Sequence, residues 1–171
     1  MLLPLLALDG YWMQVKDGDP RVARLYMRHY SCHQYKDKRR QQWGYRNRFL
    51  VMGPGEKLVL LSIDGLAIFG WRKFHDDSGQ NGVNCAFFRN ESPVLSSVLI
   101  RDAERHARRR WPNERFYTYV NPAAIRSTNP GCCFQKAGWQ RCGVTRRGLL
   151  IFEKLPQVER RPNTTAIPVR E

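Results

Sequence analysis

Short apolar runs separated by turn residues dominate the hydrophobic pattern of the chain. Such runs predict buried strands, because strands are short and are bounded by Gly, Pro, Asn, Asp or Ser. Asp64-Gly65 stands between two of these runs and is a strong hairpin signal. The predicted strands are residues 2–8, 58–63, 66–74, 83–89, 115–120, 139–145 and 147–155.

Helical periods are predicted at residues 19–30, 92–111 and 129–138. Pro20 suits the first turn of the first helix, because proline already has the backbone angle that a helix needs. Ser92 with Pro93 is expected to begin the longest helix, which carries an apolar stripe on one face. The residues of that stripe are Val94, Leu95, Val98, Leu99, Ala103, His106 and Ala107.

The order of these elements predicts an α/β (α+β) fold in which helices cover both faces of a mixed, mostly antiparallel central sheet. We expect one domain over residues 1–155 and a loose, Pro-rich tail over residues 156–171. No apolar run is long enough to cross a membrane, and the apolar start of the chain is interpreted as a strand rather than a signal peptide.

The net charge and the cysteine content of the chain restrict the classes of function that it can have. The chain has 29 basic and 15 acidic residues, a net charge of +14, which favours a polyanionic partner, above all nucleic acid, over a membrane surface or mere solvation. Its five cysteines are odd in number and form no CxxC pair, so neither a disulfide framework nor a zinc ribbon is predicted. A reducing cytoplasm fits this cysteine usage.

Two stretches carry a resemblance to known proteins. Residues 71–92, WRKFHDDSGQNGVNCAFFRNES, and residues 117–139, YTYVNPAAIRSTNPGCCFQKAGW, resemble phage-encoded proteins of the Mom DNA-modification family. The resemblance covers roughly residues 17–155, and the element order resembles the GNAT acyltransferase fold. In that fold the strands before and after the main helix splay apart and a thioester cofactor sits in the gap.

The resemblance implies an enzyme that adds a carbamoylmethyl group to the exocyclic amine of adenine in double-stranded DNA. This modification would protect phage DNA from restriction in the cytoplasm of the infected host. Two other interpretations stay open. One is a GNAT enzyme that uses acetyl-CoA to acylate an amine of a protein or a small molecule. The other is a non-catalytic module that binds nucleic acid.

The resemblance also implies a cofactor, either acetyl-CoA or a related acyl-CoA. It does not determine the donor of the transferred group. RNESPVLSS stands where GNAT enzymes have a Gly-rich pyrophosphate loop, so only the start of the helix is left to hold phosphates. Phe134 stands where many GNAT enzymes have a Tyr general acid. The cofactor-side candidates are Phe87, Phe88, Asn90, Ser96, Ser97, Asn129 and Phe134.

The catalytic candidates each have a structural alternative. Tyr119 would line the splayed strands or pack on the sheet, and Asp76 or Asp77 would act as a general base or form a turn. Ser127 would contact a substrate or, like Asn129, cap the short helix. His29 would be a base, a DNA contact or a packed histidine.

Phosphate contacts are expected from basic residues interleaved with aromatic ones. A solvated surface is the alternative for the candidates, which are Lys36, Lys38, Arg39, Arg40, Arg46, Arg72, Lys73 and Arg126. His29, Cys32 and His33 are spaced as helical metal ligands would be, but no carboxylate partner is evident, and we assign no metal.

Overall fold

The computed structural model describes residues 10–35, 49–75 and 79–156, apart from the side chains of residues 33–35. Seven strands, three α-helices and one 3₁₀ helix follow each other in these ranges. In chain order they are β1 Trp12–Val15, α1 Pro20–Tyr26, the 3₁₀ helix η1 Tyr30–Tyr35, β2 Glu56–Ser62, β3 Ala67–Lys73, β4 Val83–Asn90, α2 Ser96–Arg110, β5 Phe116–Val120, α3 Cys132–Lys136, β6 Gln140–Val144 and β7 Leu150–Lys154. Within the described ranges, none of the helices has the length and apolar character needed to cross a membrane.

The strands form one sheet in the order β1-β2-β3-β4-β5-β7-β6. Every neighbouring pair is antiparallel except β4 and β5, which run parallel. The chain passes between these two through α2, as a parallel connection requires. The mixed, mostly antiparallel sheet predicted from the sequence is confirmed.

The parallel ladder between β4 and β5 is short. It pairs Val83 with Phe116 and ends at Cys85 with Thr118, although both strands continue beyond that point. In β4 the register against β3 shifts after Cys85, which makes Ala86 the extra residue of a β-bulge. The bulge bends β4 away from β5, and the two strands diverge toward their carboxyl ends.

Apolar clusters cover both faces of the sheet. On one face α2 and α3 pack over a large core that includes Trp71, Phe116 and Phe134. On the other face α1 packs against β2, β3 and β4 through a smaller core that includes Val22 and Phe87. The opening between β4 and β5 therefore lies between two packed layers.

The helix boundaries agree with the sequence only in part. Helix α1 begins at Pro20 as expected, after Asp19 as its N-cap, which accepts a hydrogen bond from the backbone N–H of Arg21, but α1 ends at Tyr26 instead of Tyr30. The strand predicted at residues 2–8 lies outside the described residues, and β1 at residues 12–15 was not predicted.

The predicted starts of the two later helices were wrong. Helix α2 begins at Ser96, because Asn90 donates to Val94 O and holds residues 91–95 in a turn instead of a helix. Helix α3 has Gly131 as its N-cap, without a capping side chain, so neither Ser127 nor Asn129 has the predicted capping role. The backbone carbonyl of Asn129 accepts from Cys132 N instead.

We predict that Gly70→Ala destabilises the fold. A Cβ at Gly70 in β3 would lie 2.5 Å from ring atoms of Phe87, which fills the space beside the bulge. Overpacking of this kind costs about 1–3 kcal/mol in the free energy of unfolding, measured by urea denaturation. Gly143→Ala in β6 is the matched control, because its Cβ would meet Ile151 at an ordinary 3.7 Å. Equal stability of the two variants would contradict the assignment.

Candidate functional site in the strand opening

The divergence of β4 and β5 leaves a pocket of about 110 Å³. Both strands, the segment between α1 and η1, and α3 contribute to its walls. Its lining residues are His29, Tyr30, Cys85, Ala86, Phe87, Phe88, Thr118, Tyr119, Val120, Ile125, Gly131, Cys133 and Phe134. The predicted candidates His29, Tyr119, Phe87, Phe88 and Phe134 are therefore brought together in one place.

The last rung before the opening is fixed by a side chain. Thr118 donates its hydroxyl proton to the carbonyl of Cys85 over 3.1 Å, in a buried position. This bond closes the ladder where the bulge would otherwise weaken it, and it leaves the Thr118 hydroxyl with no proton to give to a substrate. The backbone beyond Cys85 on β4 and beyond Thr118 on β5 faces the opening without a strand partner.

Tyr30 enters the opening from the layer of α1 and η1. Its hydroxyl lies 3.5 Å from the carbonyl oxygen of Tyr119, longer than the roughly 2.7 Å of a typical O–H···O bond. Burial raises the pKa of Tyr30, the thiols of Cys85 and Cys133 add to that shift, and a backbone hydrogen bond from Asn121 opposes it. The hydroxyl is thus protonated at neutral pH and held only loosely as a donor.

His29 supports Tyr30 from behind. The two rings stack with centroids 4.4 Å apart, and His29 is itself buried. The backbone N–H of Ser31 donates to His29 Nδ1 over 3.2 Å, so the proton of the neutral ring is assigned to Nε2. A hydrogen bond to the backbone of Phe88 engages the ring from β4.

Electrostatics keep the His29 ring neutral. Burial, with a smaller contribution from the Arg89 guanidinium, lowers the pKa of His29 from 6.5 to about 4. A base with this pKa and with both ring nitrogens engaged is a weak proton acceptor. The arrangement therefore favours a positioning role for His29 over the base role that the sequence also allowed.

The pocket thiols are not poised to act as nucleophiles. Burial raises the pKa of Cys85 and of Cys133 above the ordinary thiol value, so both stay protonated at neutral pH. The hydroxyl of Tyr30 is therefore the better candidate for proton transfer among these lining groups.

A buried ion network holds α3 against the pocket. Trp139 Nε1 donates to Glu104 Oε1 over 2.6 Å, and Lys154 Nζ lies 2.8 Å from Glu104 Oε2. Lys154 also donates to the carbonyl of Ala137, over 2.8 Å. Burial raises the pKa of Glu104, and the bonds from Lys154 and Trp139 counter that shift. The network joins α2, the exit of α3 and β7, and so fixes the wall that carries Phe134.

The two phenylalanines after the bulge serve opposite layers. Phe87 belongs to the core beneath α1, whereas Phe88 packs toward α3, with its ring centroid 6.3 Å from that of Phe134. Phe134 occupies the α3 wall as the sequence predicted, and it brings no proton to the site.

Helix α2 follows the carboxyl end of β4, the end toward which the opening widens, although none of its residues lines the pocket. Its N-cap residue, Leu95, provides no side-chain hydrogen bond, which leaves N–H groups of the first turn open to an anion. Asn90 uses its amide to organise the preceding loop, by donating to Val94 O and Ser96 Oγ. Ser97 is buried. Of these three cofactor candidates, Ser96 and Ser97 would act through their backbone amides rather than their side chains.

The loop between β5 and α3 places its predicted residues at the surface. Arg126, Ser127 and Asn129 are all exposed, and Ser127 Oγ accepts a hydrogen bond from Asn129 N. Ile125, which was not singled out, is the residue of this loop that lines the pocket.

Two other predicted phosphate contacts lie away from the opening. Lys73 pairs with Glu114 over 2.6 Å, and Arg72 lies beside it on β3, opposite Asn84 at the start of β4. The Arg72 Nε is buried without a hydrogen-bond partner, and its guanidinium lies over the Phe74 ring. Both residues stand at the end of the sheet remote from the divergence of the strands.

Several sequence candidates lie outside the described residues. These are Asp76, Asp77, Lys36, Lys38, Arg39, Arg40 and Arg46, and the side chain of His33 is likewise not described. Cys32 is buried in the core beneath α1. In the part of the chain that the structure describes, no three residues of the His, Cys, Asp and Glu types are grouped to hold a metal ion.

Sequence reasoning missed Tyr30 as a site residue. The sequence signal was ambiguous, because Tyr30 lies eight residues after Val22 and can complete the apolar face of a helix that continues to it. Helix α1 ends at Tyr26, however, and the turn that follows directs Tyr30 into the opening.

A comparison with solved structures supports the fold. The solved structures include the crystal structure of the GNAT domain of S. lividans PAT, which matches with a TM-score of 0.56 and 16% sequence identity over 84% of this chain and 89% of that chain. No protein-family model matches the sequence, and no curated protein matches it significantly. The chain has the GNAT fold, as the order of its predicted elements implied.

We predict that His29 makes stability pH-dependent. Its folded pKa of about 4 is below the unfolded value of 6.5, so the unfolded chain binds more protons between these values. Stability is therefore full above pH 6.5 and falls with decreasing pH, by at most about 1.4 kcal/mol per pH unit. Urea unfolding at pH 7.5 and pH 5 should show a larger loss for the natural chain than for His29→Gln. Identical pH dependence would contradict the burial of a neutral ring.

Proposed function

We propose that the chain is a transferase that attaches a small carbon group to the exocyclic amine of adenine in DNA. The observation that supports a transferase best is the opening between β4 and β5, with Tyr30 in one wall and Phe134 in the other. The resemblance to the Mom family and the net charge of +14 support DNA as the acceptor. That resemblance makes a carbamoylmethyl group the one to expect and protection from restriction the role.

The exocyclic amine of adenine is a difficult acceptor for group transfer, and the site has features that suit it. The lone pair of the adenine amine is delocalised into the ring, so the amine must be oriented closely and must lose a proton as the new bond forms. The atom is also paired inside the duplex, so the base has to be extruded before it can enter a pocket. Aromatic walls such as Tyr30 and Tyr119 suit a flipped base, because they can stack on it.

The residues of the opening fit an acyl-CoA type of cofactor. After Cys85 the backbone of β4 has no partner strand on the β5 side, so the groups there that His29 does not engage can hydrogen-bond an extended arm, and the open first turn of α2 can hold its phosphates. When bound, such a cofactor supplies an activated carbon at the end of a long arm. The donor of a carbamoylmethyl group is a separate question, which the mass of the product addresses.

Tyr30 is the residue that we assign to proton donation. Its hydroxyl is protonated and part-buried, accepts a hydrogen bond from the backbone of Asn121, and donates only weakly, at 3.5 Å, to Tyr119 O. Phe134 replaces the tyrosine that many GNAT enzymes carry on this short helix, and Tyr30 reaches the same pocket from the opposite layer. A leaving group that departs as an anion would take the Tyr30 proton, and the phenolate left on Tyr30 would accept the proton that the adenine amine releases as the new N–C bond forms.

A second candidate is an acyltransferase that acts on an amine of a protein or a small molecule. The open first turn of α2 favours it, since that feature serves any acyl-CoA enzyme. Turnover of acetyl-CoA on a simple amine, with no altered nucleoside in DNA, would select it.

The first experiment is mass spectrometry of nucleosides digested from plasmid DNA of cells that express the chain. We expect a new deoxyadenosine species, whose mass gives the composition of the group. A species derived from another base would contradict the adenine assignment and keep the transferase. Ordinary nucleosides alone, from folded protein in both uninfected and phage-infected cells, would overturn DNA modification.

We predict that Tyr30→Phe lowers the rate of modification by about 10²-fold or more, because it removes the proton donor and leaves the ring in place. The rate is measured as modified nucleoside formed per unit time by equal amounts of folded protein. Tyr119→Phe is the matched control, since it removes the other candidate hydroxyl of the same pocket. If Tyr119→Phe loses the activity and Tyr30→Phe keeps it, the assignment of the proton donor is wrong.

A further inference from the structure

The carboxyl-terminal third of the domain contains a long segment without any acidic residue. None of the 15 acidic residues of the chain lies between Phe116 and Phe152. Basic residues are present there, and each of them is exposed. They are Arg126, Lys136, Arg141, Arg146 and Arg147.

These five residues differ from most other basic residues of the described chain. Elsewhere a guanidinium or ammonium group commonly faces a carboxylate, as Arg28 does with Glu91 and Arg115 with Glu153. Within the described ranges none of the five forms an ion pair with a carboxylate. Their charge is thus exposed to solvent and is not neutralised by the neighbouring surface.

The sheet register places three of the five beside the opening. Val120 at the end of β5 and Val144 at the end of β6 both stand opposite Leu150, the first residue of β7. The loop that carries Arg126 and the turn that carries Arg146 and Arg147 therefore leave the sheet at the same end. This is also the end at which β4 and β5 diverge.

The turn that presents the two arginines is well ordered. Thr145 N donates to Leu149 O over 2.8 Å, and Gly148 N donates to Thr145 O over 2.9 Å. The hydroxyl of Thr145 accepts from Leu149 N over 3.1 Å. Gly148 adopts a φ of +78°, which closes the turn without strain. Binding would not have to order this backbone first.

We propose that this acid-free surface, the exposed face of residues 121–149, docks the phosphate backbone of DNA beside the extruded base. The inference rests on the proposed function and adds the part of the chain that holds the DNA. Phosphate contacts fix the position and register of a duplex without reading its sequence. Arg126, Arg146 and Arg147 would contact phosphates at the mouth, and Lys136 and Arg141 would extend the surface.

A polynucleotide fits this surface better than the cofactor does. The phosphates of an acyl-CoA have a place at the first turn of α2, across the opening from β7. The five charges are distributed over a loop, a helix end, a strand and a turn, which suits an extended polyanion. The predicted phosphate contacts Arg72 and Lys73 lie at the other end of the sheet, so this surface is distinct from them.

The test compares two double variants that remove the same charge. Arg146→Ala with Arg147→Ala changes the proposed surface. Lys16→Ala with Arg109→Ala is the matched control, because both residues are exposed and lie at the opposite end of the sheet. Fluorescence anisotropy with a labelled duplex of mixed sequence gives the dissociation constant at several salt concentrations, and thermal unfolding checks that each variant is folded.

We expect the logarithm of affinity to fall linearly with the logarithm of salt concentration in the natural chain. Arg146→Ala with Arg147→Ala should reduce that slope by about 2, one for each lost phosphate contact, and weaken binding at low salt. The control pair should leave the slope nearly unchanged. Affinity for acetyl-CoA, measured by calorimetry, should be the same in all three proteins.

The outcomes separate this inference from the function it rests on. Equal slopes for the two double variants would overturn the docking surface while DNA binding itself stood. Lost affinity for acetyl-CoA in the Arg146 and Arg147 variant, without a change in DNA binding, would assign the surface to the cofactor and overturn the inference. A natural chain that binds no DNA at any salt concentration would overturn both proposals.

Discussion

The short parallel ladder between β4 and β5 is the constraint on which the rest of the site depends. It stops after Cys85 and Thr118, where the Thr118 hydroxyl closes the last rung and the bulge at Ala86 turns β4 aside. Had the ladder continued, the backbone groups that follow would have paired with each other and no opening would exist. Gly70 allows the bulged strand to pack, since only a glycine at this position leaves room for the ring of Phe87. The packing around Gly70 on β3 thus affects the opening on the far side of β4.

An opening through a sheet brings together groups from layers that otherwise never meet. Tyr30 arrives from the layer of α1, held by the His29 ring behind it, and Phe134 arrives from α3. The buried pair of Glu104 and Lys154 keeps the α3 wall in place, and breaking such a pair would leave an uncompensated buried charge. In the proposed reaction this arrangement separates the group that donates the proton, Tyr30, from the groups that give the pocket its shape. It also gives a physical reason why the short helix can dispense with a tyrosine.

The sequence predicted the elements better than their ends. The hairpin at residues 64–65, the start of α1 at Pro20 and the strands around α2 follow from local signals, and the order of the elements led to the GNAT fold. The start of α2 did not follow, because the Asn90 side chain holds the preceding turn through hydrogen bonds that no periodicity reveals. Tyr30 was missed for a related reason. Its place depends on where α1 ends, and helix ends are set by tertiary contacts as much as by residue type.

The distribution of charged residues along the chain is more informative about this protein than its net charge. A surplus of 14 positive charges could serve solubility alone, but solubility does not require that acids be absent from one continuous segment of the chain. Half of the described basic residues of β2, β3 and α2 form ion pairs with carboxylates, as Lys57 does with Asp17. None of the five described bases between Phe116 and Phe152 forms such a pair, and three of them, Arg126, Arg146 and Arg147, leave the sheet at the end where the opening lies. Unneutralised charge raises the local potential just where a polyanionic substrate would have to approach, so the electrostatic and the geometric features of the chain converge on the same end of the sheet.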